Sequence, residues 1–249
     1  MRWYGLMYVF GFVSSYLLSA YQLKKKAFTL TRAQLDDLYF YLILGLIIGA
    51  RLGYVIFYNL NFYLENPLEV FLVWHGGMSF HGGLIGSFLA VYIFIKRKKL
   101  RFFSVSDLII PTCPPGLMFG RIGNFINGEL FGKPSDVPWS MIFPQGGNIP
   151  RHPSQLYEAF LEGFLLFIIL WIYKNHKKRE GDVFAAFLVL YGIFRIICEI
   201  FRVPDLPVGY ILGFLSMGQA LSIVMIIVGL LIKFVYLPRA GQHIERLRK

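Results

Sequence analysis

Residues 35–58 read LDDLYFYLILGLIIGARLGYVIFY, and this stretch decides the fold. After Asp37 it carries a single charge, Arg51, over a length sufficient to cross a hydrocarbon layer roughly 30 Å thick. Gly45, Gly49 and Gly53 recur every fourth residue, so a helix places them on one face as a smooth groove for close packing. Arg51 falls on another face with Tyr54 and Tyr58. Two readings of Arg51 stand side by side: a structural arginine paired to a neighbouring helix, or a substrate contact.

The rest of the chain has the same character. Of its 249 residues 56% are hydrophobic and 18% aromatic, with a mean hydropathy of +0.58, far too apolar for a soluble domain and right for an integral membrane protein. The net charge of +11 raises nucleic acid as a partner. That reading is set aside, because the basic residues sit in short clusters between apolar spans, which is a topological pattern.

The expected fold is an all-α membrane bundle of seven transmembrane helices, with spans over 3–23, 35–58, 84–95, from 105, from 154, 183–201 and 212–236. The first is read as an uncleaved helix and not as a signal peptide, because its lysines follow the apolar core. Basic clusters follow the first, third, fifth and seventh spans. With Lys233, near the end of the seventh span, counted in the last of them, they hold every one of the 25 lysines and arginines except Arg2, Arg51, Arg121, Lys133, Arg151, Arg195 and Arg202. Clusters on one side of an odd number of spans put the N-terminus outside and the C-terminus in the cytoplasm. The seven exceptions are the cations available for work other than orientation.

Between the second and third spans, residues 68–74 suit a short interfacial or re-entrant piece. The sequence HGGMSFHGG at 75–83 then sets His75 and His81 beside glycines at a membrane boundary. They are either proton-handling groups or interfacial histidines at a hinge. No third ligand cluster accompanies them, so no metal site is read. In the fourth span Pro111, Pro114 and Pro115 must break or kink the helix and free backbone carbonyls. Asp107 at its start is expected close to the basic cluster at 96–101. Cys113 and Cys198 lie inside apolar runs without pairing or ligand spacing and read as buried thiols.

The kink leads into GRIGNFINGELFG at 120–132, where polar residues stand in an apolar context. Arg121 and Asn124 share a helix face, Asn127 drifts round it, and Glu129 follows. A guanidinium fork and two carboxamides suit phosphate and ester oxygens, and an arginine this near hydrocarbon is costly unless used. Residues 127–153, rich in proline and glycine, form an extracytoplasmic head within the single membrane domain, with Trp139 and Phe143 to bury. RHPSQLYE at 151–158 opens the fifth span, with Ser154 as its N-cap and Glu158 and Glu162 one turn apart, more suited to pairing the intramembrane arginines than to acid and base roles. In the sixth span Tyr191, Arg195, Glu199 and Arg202 form one polar stripe. The stripe marks a bundle interior: Arg195 and Arg121 supply two cations for one polyanionic ligand, or an Arg195–Glu199 pair fixes packing. By position these groups gather at the outward side, which describes an enzyme or carrier for an anionic phospholipid.

GRIGNFINGELFG resembles the signature of the prolipoprotein diacylglyceryl transferase family. RWYGLMY at 2–8, FHGGLIG at 80–86, RHPSQLYE at 151–158 and YGIFRIICEIFR at 191–202 resemble the family's other motifs in the same order. The resemblance implies a seven-helix bundle of the bacterial inner membrane with a periplasmic head. It implies transfer of the diacylglyceryl group of phosphatidylglycerol to the lipobox cysteine in the signal peptide of a preprolipoprotein, with no cofactor. By motif, His81 matches the family's essential histidine and Arg121 and Arg195 its essential arginines, while Tyr4, Asn124, Glu129, Gly132 and Tyr191 match its other functional positions. Glu199 and Arg202 join the substrate-binding set from the stripe. Ahead of RWYG, family members commonly have a short outward segment with no counterpart here, and the head is compact. The alternative class is a lipid or anion transporter, which the absence of an internal repeat and the one-sided polar groups disfavour.

Overall fold

The computed structural model describes residues 3–24, 28, 30–203, 210–211 and 215–238. The chain divides into two compact units, Leu23–Val105 and the two segments Met1–Gln22 and Ser106–Lys249. Among the described residues five helices are long and apolar enough to cross a membrane, and six if a bent pair counts as one span.

In the unit Leu23–Val105, α2 (Arg32–Tyr58) begins with a capping box in which Thr31 Oγ1 accepts from Gln34 N and Gln34 Oε1 accepts from Thr31 N. It packs antiparallel on α4 (Phe80–Arg97) through the glycine face expected from the sequence. A Cβ on Gly53 would lie 2.7 Å from Gly82 Cα, and one on Gly45 would lie 2.6 Å from the Gly86 carbonyl. Both helices therefore need glycine where they cross. Asp37 pairs with Lys98 at 2.8 Å and ties the far ends together.

Between these helices lie α3 (Leu60–Glu65) and two 3-10 turns, Pro67–Phe71 and Val73–His75. The connection wraps around Arg51, which is buried and donates to the carbonyls of Glu69, Val70, Leu72, Gly76 and Gly77. Its guanidinium also lies over the Tyr63 ring. The structural reading of Arg51 therefore holds, with a loop in place of a neighbouring helix. Leu68, Phe71 and Trp74 point outward from this loop and are exposed.

In the other unit, α1 (Trp3–Lys24) lies against the broken span made of α5 (Phe102–Ile109), the turn Ile110–Thr112 and α6 (Pro114–Ile126), which bends by 41°. The groups at the break are satisfied by α1 and within the turn itself. Gln22 Nε2 donates to the Leu108 carbonyl, Thr112 Oγ1 donates to that of Ile109, and Ser15 and Ser19 reach Thr112 Oγ1. These contacts explain why a proline-broken span is tolerated. Asp107 is fully buried. Its carboxylate accepts from Lys177 Nζ and from the Gly181 and Phe184 amides, because the turn before the helix Asp182–Phe201 and that helix's first residues offer backbone donors as well as a cation.

The fifth span starts as α7 (Ser154–Glu158), widens to a π-helical turn over Ala159–Leu165 and continues as α8 (Leu166–Tyr173). Antiparallel to it runs α9 (Asp182–Phe201), with Leu166, Leu170 and Val183 fully buried between them. A short ribbon of β1 (Tyr210–Ile211) and β2 (Leu215–Ser216) precedes α10 (Met217–Leu231), which ends in a π turn, Ile232–Tyr236. Ser154 is not the N-cap; it is the first helical residue after Pro153, and its hydroxyl donates to the Leu130 carbonyl. Residues 127–153 are ordered around Phe143, which is buried against Phe125 and Phe131, while Trp139 stays exposed and donates to the Tyr157 hydroxyl.

Candidate active site

Three arginines and three glutamates meet where α6, α7, the π turn and α9 come together. Glu158 is the hub. Its Oε2 lies 2.6 Å from Arg121 Nε, and its Oε1 lies 3.1 Å from Arg195 Nη1 and 3.2 Å from Arg202 Nη1. Glu162, inside the π turn, places Oε1 3.5 Å from Arg195 Nη1 and Oε2 3.7 Å from Arg121 Nη2. Glu199 pairs with Arg195 on its own helix and accepts from the Ser216 hydroxyl at 2.8 Å. A π turn widens the helix and commonly marks a functional site. Here both acidic residues of the fifth span face the same pair of guanidiniums.

Charges in a membrane-embedded core persist only when paired. The Glu158 and Glu162 side chains are each 1% exposed, whereas Arg121 is 21% and Arg195 13% exposed. The carboxylates thus lie behind the arginines, whose donors are the accessible face. Glu158 engages Arg121 through Nε, and Arg121 Nη2 stands beyond hydrogen-bond reach of Glu162, so the terminal amino groups can meet an incoming anionic oxygen. The sequence raised an Arg195–Glu199 pair that serves packing alone. The pair exists, and Arg195 also reaches two carboxylates on another helix.

The stretch after Arg121 is held beside this cluster. Asn124 Nδ2 and Asn127 Nδ2 both donate to Glu129 Oε1, at 3.0 and 3.2 Å. The next residues are lashed to the RHPSQLYE motif: Gln155 Nε2 donates to the Glu129 carbonyl at 2.7 Å, and Ser154 to that of Leu130. Leu130 adopts φ +58°, a conformation that side chains disfavour, and these bonds flank it. Gly132 bridges to Arg202 and donates to the His152 carbonyl; a Cβ there would lie 2.6 Å from the Phe201 carbonyl. Its place is a close backbone crossing that only glycine permits.

Of the other residues singled out from the sequence, Tyr191 lies on α9 and stacks on Phe187. His81 is exposed in the first turn of α4, after Ser79, whose side chain caps that helix through Gly82 N. His75 pairs with Glu69 at 2.9 Å on the loop around Arg51. The Tyr4 side chain, Arg2 and the basic tail fall outside the described residues. Ser154 and Gln155 were not singled out as site residues, and Glu158 was marked only as an ion-pair partner. A carboxylate inside an apolar span is the signal that points to it.

Beside the cluster, an apolar cavity of about 450 Å³ opens between α7, the π turn, α9 and the segment 137–152, lined by residues including Trp139, Leu156, Phe160, Ile197 and Phe201. It suits hydrocarbon and lacks the polar lining a headgroup requires.

The model of the family described as prolipoprotein diacylglyceryl transferase matches residues 1–235. A phosphatidylglycerol–prolipoprotein diacylglyceryl transferase of Nitratidesulfovibrio vulgaris strain DP4 is 50% identical over 230 residues, covering 92% of this chain and 88% of that protein. The proteins of the same name from Bordetella avium strain 197N and Pseudomonas aeruginosa strain LESB58 are each 51% identical, over 93% and 92% of this chain and 89% and 87% of theirs. With the arginine cluster and the ordered motifs in place and the match running over nearly its whole length, this chain belongs to the prolipoprotein diacylglyceryl transferase family.

Proposed function

We propose that this chain transfers the diacylglyceryl group of phosphatidylglycerol to the lipobox cysteine thiol of a preprolipoprotein signal peptide. The thiol sulfur attacks the glycerol C3 carbon, a thioether bond forms, the C3–O bond breaks, and glycerol phosphate leaves. The step needs a base for the thiol proton and cations for the charge growing on the departing phosphate. Arg121 and Arg195 supply the cations, and Glu158 and Glu162 hold them together. The base is assigned to His81 on its motif, FHGG. Asn124 and Glu129 orient the headgroup side, Gly132 and Arg202 fix the backbone behind it, and Tyr191, Glu199 and Tyr4 complete the binding set.

The observation that carries this reading is the convergence of two guanidiniums from separate helices on one pair of carboxylates, with Arg121 partly open. The apolar cavity beside them is a place for an acyl chain. The chain is a multi-pass protein of the bacterial inner membrane. Seven crossings follow on this reading if the 18-residue α4 and the broken span are each counted with the five long apolar helices, and the N-terminus then lies outside with residues 127–153 as the extracytoplasmic head.

The test is incubation of the purified protein with phosphatidylglycerol and a lipobox peptide. The expected result is a lipidated peptide together with free glycerol phosphate. Phosphatidylglycerol movement between leaflets without lipidated peptide would overturn the reading and favour a carrier.

A further inference from the structure

The buried cluster is formally neutral: Arg121, Arg195 and Arg202 stand against Glu158, Glu162 and Glu199. A phosphodiester brings one further negative charge into a site where unpaired charge is costly. Neutrality is restored if one carboxylate gains a proton, and the three are not equally held. Glu158 faces three guanidiniums with both oxygens engaged, and Glu199 has Arg195 on one oxygen and the Ser216 hydroxyl on the other. Glu162 is fully buried, and its Oε2 accepts no hydrogen bond from any described residue. A buried polar atom without a partner calls for an explanation. A phosphate docking on Arg121 and Arg195 also draws on the two cations that Glu162 depends on.

We propose that Glu162 couples lipid binding to proton uptake: its carboxylate takes one proton from solution when the anionic phosphodiester docks on Arg121 and Arg195. The inference rests on the proposed function. Arg121 from α6 and Arg195 from α9 face Glu162, Glu158 lies one turn away, Tyr191 and Cys198 of α9 are near enough to feel its charge, and α8 presents no charged side chain. The guanidiniums are permanently charged, and tyrosine and thiol are already protonated near neutral pH, so none of these can accept the proton. Glu158 is held by its three arginines. Protonation removes the negative charge from the one carboxylate of the cluster whose Oε2 accepts no hydrogen bond from a described residue.

The experiment uses the full chain in phosphatidylcholine nanodiscs titrated with short-chain phosphatidylglycerol by calorimetry, in two buffers of different ionisation enthalpy. Wild type is expected to take up about one proton per lipid bound, with affinity falling about tenfold per pH unit once Glu162 is ionised in the free protein. Glu162→Gln, neutral at every pH and close in shape, is expected to bind with no proton uptake and a flat pH profile. An infrared difference spectrum of wild type is expected to gain a carboxylic-acid carbonyl band on lipid binding, which needs no variant to fold. Wild-type binding without proton uptake overturns the inference and leaves the proposed function standing, as does Glu162→Gln that keeps the wild-type proton count. Wild type that does not bind phosphatidylglycerol overturns both.

Discussion

Arg121 Nε lies 2.6 Å from Glu158 Oε2, a pair formed between α6, the second half of the broken span, and α7, just before a π turn. Two irregularities of the backbone thus meet at one ion pair. The carboxylate is buried and the guanidinium partly open, so the pair has an inner, structural side and an outer, reactive one.

Arg121→Lys keeps the charge and loses the planar fork. Lysine offers a point charge that cannot hold Glu158 and a phosphate oxygen together. Transfer is expected to fall on the order of 100-fold, the scale seen when one charge-stabilising donor is removed, with the fold kept. The lipobox peptide assay checks it, and wild-type turnover would show that phosphate recognition lies elsewhere.

Glu158→Ala leaves three arginines without their shared partner. Breaking a buried pair costs about 3–5 kcal/mol, so a large drop in thermal stability in detergent is expected along with loss of transfer. Glu158→Gln keeps an acceptor and should be the milder change. Equal stability of Ala and wild type would mean that the glutamate does not hold the cluster.

Gly82→Ala places a methyl 2.9 Å from Gly53 Cα, where the neighbour is backbone and cannot swing aside. Overpacking of this kind costs about 1–3 kcal/mol, so α2 and α4 should separate or shift and the melting temperature should fall. Gly5→Ala, at a position with nothing nearby, serves as the control and should leave the melting temperature unchanged.

Cys113→Ala with Cys198→Ala is expected to retain transferase activity, because the attacking thiol belongs to the lipoprotein. Both cysteines are free thiols, and Cys198 is buried. Abolished transfer in a folded double variant would place a protein thiol in the reaction.

His81→Gln is expected to slow transfer across neutral pH by removing the group assigned to the thiol proton. A near-normal rate and an unchanged pH profile would remove His81 from that role.

The glycine groove, the broken span and the meeting of Arg121 with Arg195 could all be read from the sequence, because each rests on periodicity or on a charge that hydrocarbon does not tolerate. The partners of buried groups could not. Arg51 is satisfied by carbonyls, which every residue carries and no sequence pattern marks. Asp107 is held by backbone amides and Lys177, partners that no sequence pattern marks, since a turn presents donors only once it has formed. The π turn at Ala159–Leu165 has no composition of its own, so Glu158 and Glu162 read as an ordinary helical pair. Ser154 looked like a cap by residue type, yet the helix had begun and the hydroxyl was taken by Leu130.

The crown of carbonyls around Arg51 has a consequence for how this part of the chain can vary. What it demands of the segment from Glu69 to Gly77 is the number of residues and the path they follow, since main-chain oxygens do the holding. Outward side chains such as Phe71 and Trp74 are therefore open to exchange. Insertion or deletion of a single residue would instead strand a guanidinium in the interior.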